Sequence, residues 1–486
     1  MTYSLLRPEI VLFIPNSRWY DKRPWMQLPY TISILTALLK EEFGLKLFDA
    51  NAGNLTEEEC LFRLKENKPD MLLVSGISVE YFQQYHKTFE IAKTVNQDCI
   101  TVFGGVYPTL MPEEALKDKN IDYVFIGHAE ERISDFINIV LTHNKDTLKD
   151  LHGIGFRDEN GKTIIKPIKS FISDINEVVK PDYSLIDVNA YISYKSQDVL
   201  DNTTDTGTNA TIVTSFGCPY NCSFCATRTI NGRSVNFRPI EDILYEIEFF
   251  IKEYGVTNIT FIDENLTFHR KRVEEILNAF IDRKYNIKWQ MANVAIWHLD
   301  DKLLVLMHKS GCTAISPSIE SGSRRVLRDL VRKPLKILEK APGIVKKCKE
   351  LGINVMAHFV IGLPGETWEE IRQTFRFAES LDCDLVVFHI ATPYPKTELY
   401  DIAVKNKLLP EDFSFYSPEF YGTSSGFITT DQFTPHELMV LRSFEWDRIN
   451  FSTPEKTEKI AKMMSMTIEE LNNHRKQTRL KAGVHY

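Results

Sequence analysis

Cys218, Cys222 and Cys225 lie in the run Ser215-Phe216-Gly217-Cys218-Pro219-Tyr220-Asn221-Cys222-Ser223-Phe224-Cys225, directly after the apolar segment Ile212-Val213-Thr214. This C-x3-C-x2-C spacing lets three thiolates on one loop face a single inorganic group. A [4Fe-4S] cube is usually held by four thiolates, so three leave one iron open to bind and polarise a ligand. Two other readings exist. A structural zinc site takes four ligands, commonly from two paired C-x2-C units, and the chain has no second C-x2-C. Three unrelated core cysteines would sit among apolar neighbours, whereas the Gly, Pro and Asn around these thiols suit an exposed turn.

Three further polar segments follow apolar runs. Phe261-Ile262-Asp263-Glu264-Asn265 ends one with acidic and amide groups, and Asp263 or Asn265 would also serve as a helix N-cap. Ser316-Pro317-Ser318-Ile319-Glu320-Ser321-Gly322 ends another; a buried Glu320 needs a partner, either a ligand or a cation. Phe359-Val360-Ile361-Gly362-Leu363-Pro364-Gly365-Glu366 ends a third, with glycines suited to turns.

The cysteine loop, with Phe224 just before the last cysteine, resembles the signature of the radical S-adenosylmethionine (SAM) superfamily, and the three segments resemble its other strand ends in the family's order. The resemblance implies that Cys218, Cys222 and Cys225 ligate a [4Fe-4S] cluster whose open iron chelates SAM. One electron then splits a carbon-sulfur bond to give methionine and a 5'-deoxyadenosyl radical. It also implies that the backbone at Phe224 meets adenine, Asp263 and Glu264 the methionine amino group, Ser318 and Glu320 the ribose and carboxylate, and the backbone near Ile361 the adenine again.

Upstream of the cysteine loop, Ser75-Gly76-Ile77-Ser78, Val102-Phe103-Gly104-Gly105-Val106-Tyr107-Pro108 and Phe125-Ile126-Gly127-His128 each place small residues after an apolar run. Such ends allow close backbone approach by a bulky ligand. They look like the cobalamin-binding-type domain of a radical SAM subgroup, which implies that Ser75, Ser78, Gly104, Gly105, Pro108 and Gly127 border cobalamin. The Asp-x-His-x-x-Gly motif that supplies a lower cobalt ligand elsewhere is absent here, as is common in this subgroup. His128 reads as an ordinary hydrogen-bonded histidine, and Trp19, Tyr20, Trp25 and Tyr30 as packing aromatics or a corrin cover.

These loops need parallel strands to present them. In residues 1–145 the runs Ile10–Ile14, Leu45–Phe48, Met71–Val74, Ile100–Phe103 and Tyr123–Ile126 alternate with helical patterns, such as Ile34, Leu35, Leu38 and Leu39. This predicts a five-stranded, flavodoxin-like (Rossmann-like) layer. Residues 146–205, with the Lys180-Pro181-Asp182 break and the polar run Asp201–Gly207, read as a linker. From 206 to 400, Ile212–Thr214, Ile259–Ile262, Ala314–Ser316, Val355–Val360 and Leu385–Phe388 alternate with amphipathic helices carrying Ile243, Ile247, Phe250 and Ile251, or Ile371, Phe375 and Ala378. That rhythm predicts a partial (β/α)6 TIM-type barrel with its site at the strand C-termini. Residues 401–486 read as a small, mainly helical capping domain. The fold class is α/β throughout.

The chain has 486 residues, a formal net charge of -8 and a pI near 5.9. No overall basic field attracts nucleic acid or an anionic membrane surface. No apolar stretch reaches the length of a signal peptide or of the ~20 residues that span a bilayer. Eight cysteines are too few for a disulfide scaffold, which fits a reducing, cytoplasmic setting. Cys60, Cys99, Cys312, Cys348 and Cys383 read as core packing, and His358 and His389 as strand histidines that either bond locally or face substrate.

The expected activity is cobalamin-dependent radical methylation of an unactivated carbon in a small molecule, with flavodoxin or ferredoxin as electron donor. A non-methylating dehydratase, epimerase or cyclase is the alternative. An iron-sulfur carrier or cobalamin-binding regulator is the non-enzymatic one, but a simple carrier has no need of SAM-like strand ends.

Overall fold

In the computed structural model, residues 8–142, 147–169, 171, 180–194, 207–417, 419–422 and 425–484 are described. The chain forms two compact units, one made of residues up to Tyr194 with Thr229–Asp242, the other of Lys195–Arg228 with Ile243 onward. The polar run at Asp201–Thr206 lies outside the described residues.

The first unit is built on β1 (Glu9–Ile14), β2 (Gly44–Asp49), β3 (Met71–Gly76), β4 (Ile100–Gly105), β5 (Tyr123–Phe125), β6 (Ile154–Arg157) and β7 (Thr163–Lys166), in the order β2-β1-β3-β4-β5-β6-β7. The first five are parallel, and β6 and β7 join antiparallel. Parallel neighbours require crossovers. The helix Tyr30–Leu39 supplies the first, burying Ile32, Ile34, Leu35 and Leu39. The sheet therefore has seven strands where five were expected, and the added pair falls inside the segment read as linker. Its turn is built locally: Asp158 Oδ1 accepts from the amides of Asn160 and Lys162 at 2.9 Å each, and Gly161 takes φ +76°. A left-handed position after Asn is what a tight hairpin turn asks for.

The second unit carries β8 (Asn209–Ile212), β9 (Asn258–Phe261), β10 (Lys288–Val294), β11 (Cys312–Glu320), β12 (Asn354–Ile361) and β13 (Leu385–Ile390), all parallel and adjacent in chain order. This is the expected six-stranded (β/α) arrangement, with one strand, β10, that the apolar runs did not mark. Amphipathic crossover helices bury the anticipated faces: Ile243, Ile247 and Phe250 in Ile240–Tyr254, and Ile371, Phe375 and Ala378 in Trp368–Leu381. β8 ends two residues before the expected Thr214, because the Thr214 amide bonds the Asp263 carboxylate instead of a strand.

The C-terminal region is helical as expected, with Pro435–Asn450, Pro454–Met463 and Ile468–Lys481. It covers the outer edge of β13. Asn450 accepts from the Val386 amide at 2.7 Å and donates to the Val386 carbonyl at 2.9 Å, and Arg442 donates to the Phe388 carbonyl at 2.9 Å. An edge strand whose backbone groups are met this way no longer templates another chain. Among the described residues no helix is long and apolar enough to cross a membrane.

Candidate functional site

In the second unit the cysteine loop leaves β8 and is tied down before it reaches its thiols. Asp263, buried at the end of β9, accepts from the Thr214 hydroxyl and the Ser215 hydroxyl at 2.6 Å each and from the Thr214 amide at 3.0 Å. Burial pushes its carboxyl up, against the pull of these hydrogen bonds. Asp263 thus anchors the loop, and neither it nor Asn265 makes the side-chain N-cap that was the other expectation. Glu264 Oε2 accepts from the Gly217 amide at 3.2 Å, where Gly217 holds φ +90°.

Beyond this anchor the loop is pinned again. The Ser223 hydroxyl donates to the Leu330 carbonyl at 2.6 Å, and its own carbonyl accepts from the Leu399 amide at 2.9 Å. Phe224 packs against the apolar cluster that includes Val326, Val331, Val360 and Leu363. Tyr220 is held by the Trp297 indole at 3.0 Å and lies 2.7 Å from His298 Nε2. Cys225 is exposed, while Cys218 and Cys222 are half-buried. Burial pushes the Cys218 thiol up and the Cys222 thiol up to about 12; Cys225 adds to both shifts and Cys218 to that of Cys222, while Lys333 opposes both.

Lys333 is the residue that the sequence did not single out. Its Nζ reaches Glu320 Oε1 at 2.5 Å and the Ser318 carbonyl at 3.2 Å, and it lies 5.7 Å from the centre of the Trp297 ring. Both partners are nearly enclosed, at 9% and 6% side-chain exposure. Burial disfavours the ammonium, but Glu320 and the nearby cysteines outweigh it and hold its pKa above the ordinary lysine value. Glu320 thus has the cation its burial required. It sits at a register irregularity of β11 with φ +70°, a left-handed conformation that is costly for a non-glycine and that clusters at functional sites.

A cavity of about 330 Å³ opens at these strand ends, walled by Phe224, Ser318, Glu320, His358, Val360 and His389 among others. Ile361 is fully buried, its carbonyl accepting from the Ala391 amide at 2.8 Å, so Val360 is the strand's apolar contribution to this wall. After it, Glu366 accepts from the amides of Gly362 and Leu363 at 2.7 and 3.1 Å and fixes the turn; burial pushes its carboxyl up to about 8. The structure therefore gathers Phe224, Ser318 and Glu320 around one cavity and gives Asp263 and Ile361 supporting positions.

In the first unit the strand ends expected to meet cobalamin lie side by side. Ser75 pairs with Gly104 and Gly76 with Gly105 across β3 and β4. Gly105, at φ +96°, approaches so closely that a Cβ there would stand 2.4 Å from the Gly76 carbonyl oxygen, whereas one on Gly104 would find its nearest neighbour at 3.6 Å. The Ser78 hydroxyl accepts from the Glu80 amide at 3.1 Å, Pro108 is buried, and the Gly127 amide donates to Thr109 Oγ1 at 2.8 Å. His128 Nε2 stands 2.8 Å from Asn231 Oδ1 and its Nδ1 3.5 Å from Glu130. It is the locally bonded histidine anticipated from the sequence.

Comparison with known proteins agrees with both units. The radical SAM superfamily profile matches residues 212–378, and the B12 binding domain profile matches residues 28–137. The chain belongs to the radical SAM enzymes that carry a B12-binding domain. It is 29% identical over 78% of its length to an uncharacterized methyltransferase of Pyrococcus horikoshii, covering 79% of that protein. It is 27% identical over 76% of its length to an anaerobic magnesium-protoporphyrin IX monomethyl ester cyclase of Rubrivivax gelatinosus, covering 64% of that protein. Its fold matches the radical S-adenosylmethionine methyltransferase TsrM from Kitasatospora setae, solved with cobalamin and a [4Fe-4S] cluster, with a TM-score of 0.71 at 17% identity, over 98% of this chain and 99% of that one.

This radical SAM enzyme has a donor set that fits the cluster and SAM. Three thiols share one doubly pinned loop, and a buried ion pair of opposite signs offers complementary charge to an amino-acid zwitterion. For cobalamin, the fit lies in the small residues Ser75 and Gly104 at the carboxyl edge of β3 and β4, beside the β1/β3 point where the strand order reverses and where open α/β sheets bind ligands.

Proposed function

We propose that this enzyme methylates an unactivated carbon of a small molecule. When bound, a reduced [4Fe-4S] cluster supplies the electron that cleaves SAM to a 5'-deoxyadenosyl radical, and cobalamin supplies the methyl group. Cys218, Cys222 and Cys225 hold the cluster. Lys333 and Glu320 receive the carboxylate and amino group of SAM, Ser318 and Phe224 border its ribose and adenine, and Glu264 steadies the loop at Gly217. Asp263 and Ile361 act through the backbone they fix. Ser75, Ser78, Gly104, Gly105, Pro108 and Gly127 border the corrin.

In this reading residues 1–145 form the corrin domain, 206–400 the radical core and 401–486 the cap, and a flavodoxin or ferredoxin of the cytoplasm delivers electrons. The observation that carries it is the Lys333–Glu320 pair. A solvent-shielded ion pair beside a thiol loop has little structural purpose, since apolar residues of like size are commonly as stabilising, but it matches a zwitterionic ligand.

The test is anaerobic reconstitution with iron, sulfide and hydroxocobalamin, followed by desalting, reduction with dithionite and product analysis. Retained corrin with 5'-deoxyadenosine and S-adenosylhomocysteine is expected. 5'-Deoxyadenosine alone would replace methyl transfer by another radical outcome, and an intact cluster with neither product would overturn the reading.

A further inference from the structure

Two histidines of the cavity wall have no part in the scheme above. His358 on β12 and His389 on β13 stack at 5.3 Å between ring centres with 20° between planes, and His358 Nδ1 lies 2.9 Å from His389 Nε2. One imidazole therefore donates to the other, which requires both to be uncharged or one to be a cation. Burial settles the choice. It pushes His358 down to about 3, with His389 and Lys333 adding to the shift, and His389 down to about 4, with Arg442 adding to it. Burial and the neighbouring cations therefore favour the uncharged pair.

The second ring nitrogen of His358, Nε2, is buried without a hydrogen-bond partner among the described residues. Orphaned buried nitrogens are uncommon and costly. Both rings line the same cavity as Glu320, and no other lining residue carries a charge; Glu320 is already neutralised by Lys333. Phe224, Val360, Ile390 and Ala391 make the remaining wall mostly apolar. Such a wall accepts a carbon framework readily, and because its one ion pair is the one assigned above to SAM, a second ionic group finds no counter-charge there.

We propose that the His358–His389 pair is the specificity element of the substrate site, hydrogen-bonding through His358 to an uncharged hydroxyl or ring N–H on an otherwise apolar portion of the substrate. A hydroxyl suits His358 Nε2 in either tautomer of the pair, and a ring N–H suits it when His358 Nδ1 donates to His389 and leaves Nε2 as an acceptor. The inference rests on the radical site being at this barrel mouth and names the class of molecule it takes. His358 and His389 are positioning residues here: they set which carbon faces the radical and exchange no proton with it.

The test uses cluster-loaded, oxidised enzyme saturated with SAM and four probes of similar size: phenol, toluene, benzoate and benzylammonium. Phenol is expected to bind more tightly than the two ions. His358→Ala is expected to weaken phenol roughly tenfold, the scale of one neutral hydrogen bond, while toluene changes less than twofold; His358→Gln, which restores a donor and an acceptor, recovers part of the loss. Equal loss for phenol and toluene, equal affinity for benzoate and phenol, or no phenol binding would each overturn the proposal. Failure of SAM cleavage under reduction would instead remove the radical reading, and the probe series, which needs no turnover, keeps the two outcomes apart.

Discussion

The two sheets present their carboxyl edges in opposite ways. At the barrel mouth the edge is crowded with groups whose states depend on one another: three thiols, a buried lysine and glutamate, and two linked imidazoles. At the edge assigned above to the corrin, Ser75, Gly104 and Gly105 are half-buried and the polar groups nearby are already bonded, Ser78 to Glu80 and His128 to Asn231. In the reading proposed above, the first edge recognises by charge and donor chemistry and the second by shape. A substitution in the barrel should therefore change chemistry even where the fold survives, while one in the corrin domain should act through space and backbone.

The largest effect expected is at the loop. Cys222→Ala should abolish cluster loading and all SAM cleavage, read as iron content, visible absorbance and 5'-deoxyadenosine, while corrin retention by the other unit persists. If one alanine leaves cleavage intact, the barrel edge is not working by donor chemistry.

Next comes the ion pair. Glu320→Gln leaves a buried ammonium unpaired, and such a break costs roughly 3–5 kcal/mol, read as a fall in thermal midpoint. The double variant Glu320→Gln with Lys333→Met should regain most of that stability and still fail to bind SAM. Recovery of SAM affinity together with stability would make the pair merely structural.

The same contrast explains what the sequence disclosed. The thiol loop was legible because cysteine spacing on one loop is local, and five barrel strands were legible as short apolar runs. β10 was not, because Lys288-Trp289-Gln290-Met291-Ala292-Asn293-Val294 interleaves polar side chains among buried ones, and its Gln290 is satisfied by Thr260 Oγ1 at 3.0 Å, a partner from another strand. The β6–β7 hairpin was legible in principle, since Asp158-Glu159-Asn160-Gly161 between Ile154–Arg157 and Thr163–Lys166 carries a turn signal. The Lys180-Pro181-Asp182 break and the polar run that follow it mask that signal. Lys333 could not be found at all. It follows Arg324, Arg325, Arg328 and Arg332 in a stretch that reads as a solvated basic face, and only the tertiary fold brings it 2.5 Å from Glu320.

On the corrin edge the paired glycines separate backbone from ligand demands. Gly105→Ala places a Cβ 2.4 Å from a backbone oxygen at φ +96°, so β3 and β4 must shift, and a loss of roughly 1–3 kcal/mol is expected. Gly104→Ala meets only ordinary contacts and should leave thermal stability within about 0.5 kcal/mol while lowering corrin retention after desalting. Equal retention in the Gly104 variant and the parent would show that this edge is not where the corrin lies.

The smallest effect is expected at the most tempting side chain. His128 is the histidine a cobalt ligand search would choose, yet Asn231 faces one of its nitrogens and Glu130 the other. Burial pushes the Glu130 carboxyl up, but bonding and attraction from His128 outweigh it and leave Glu130 below its ordinary value, so this carboxylate stays ionised and holds the ring where it is. Ligating cobalt would cost His128 one of these partners. His128→Ala should therefore change neither the amount of corrin retained nor its visible spectrum, and a spectral shift would mean that the second edge also recognises by donor chemistry, erasing the distinction between the two sheets.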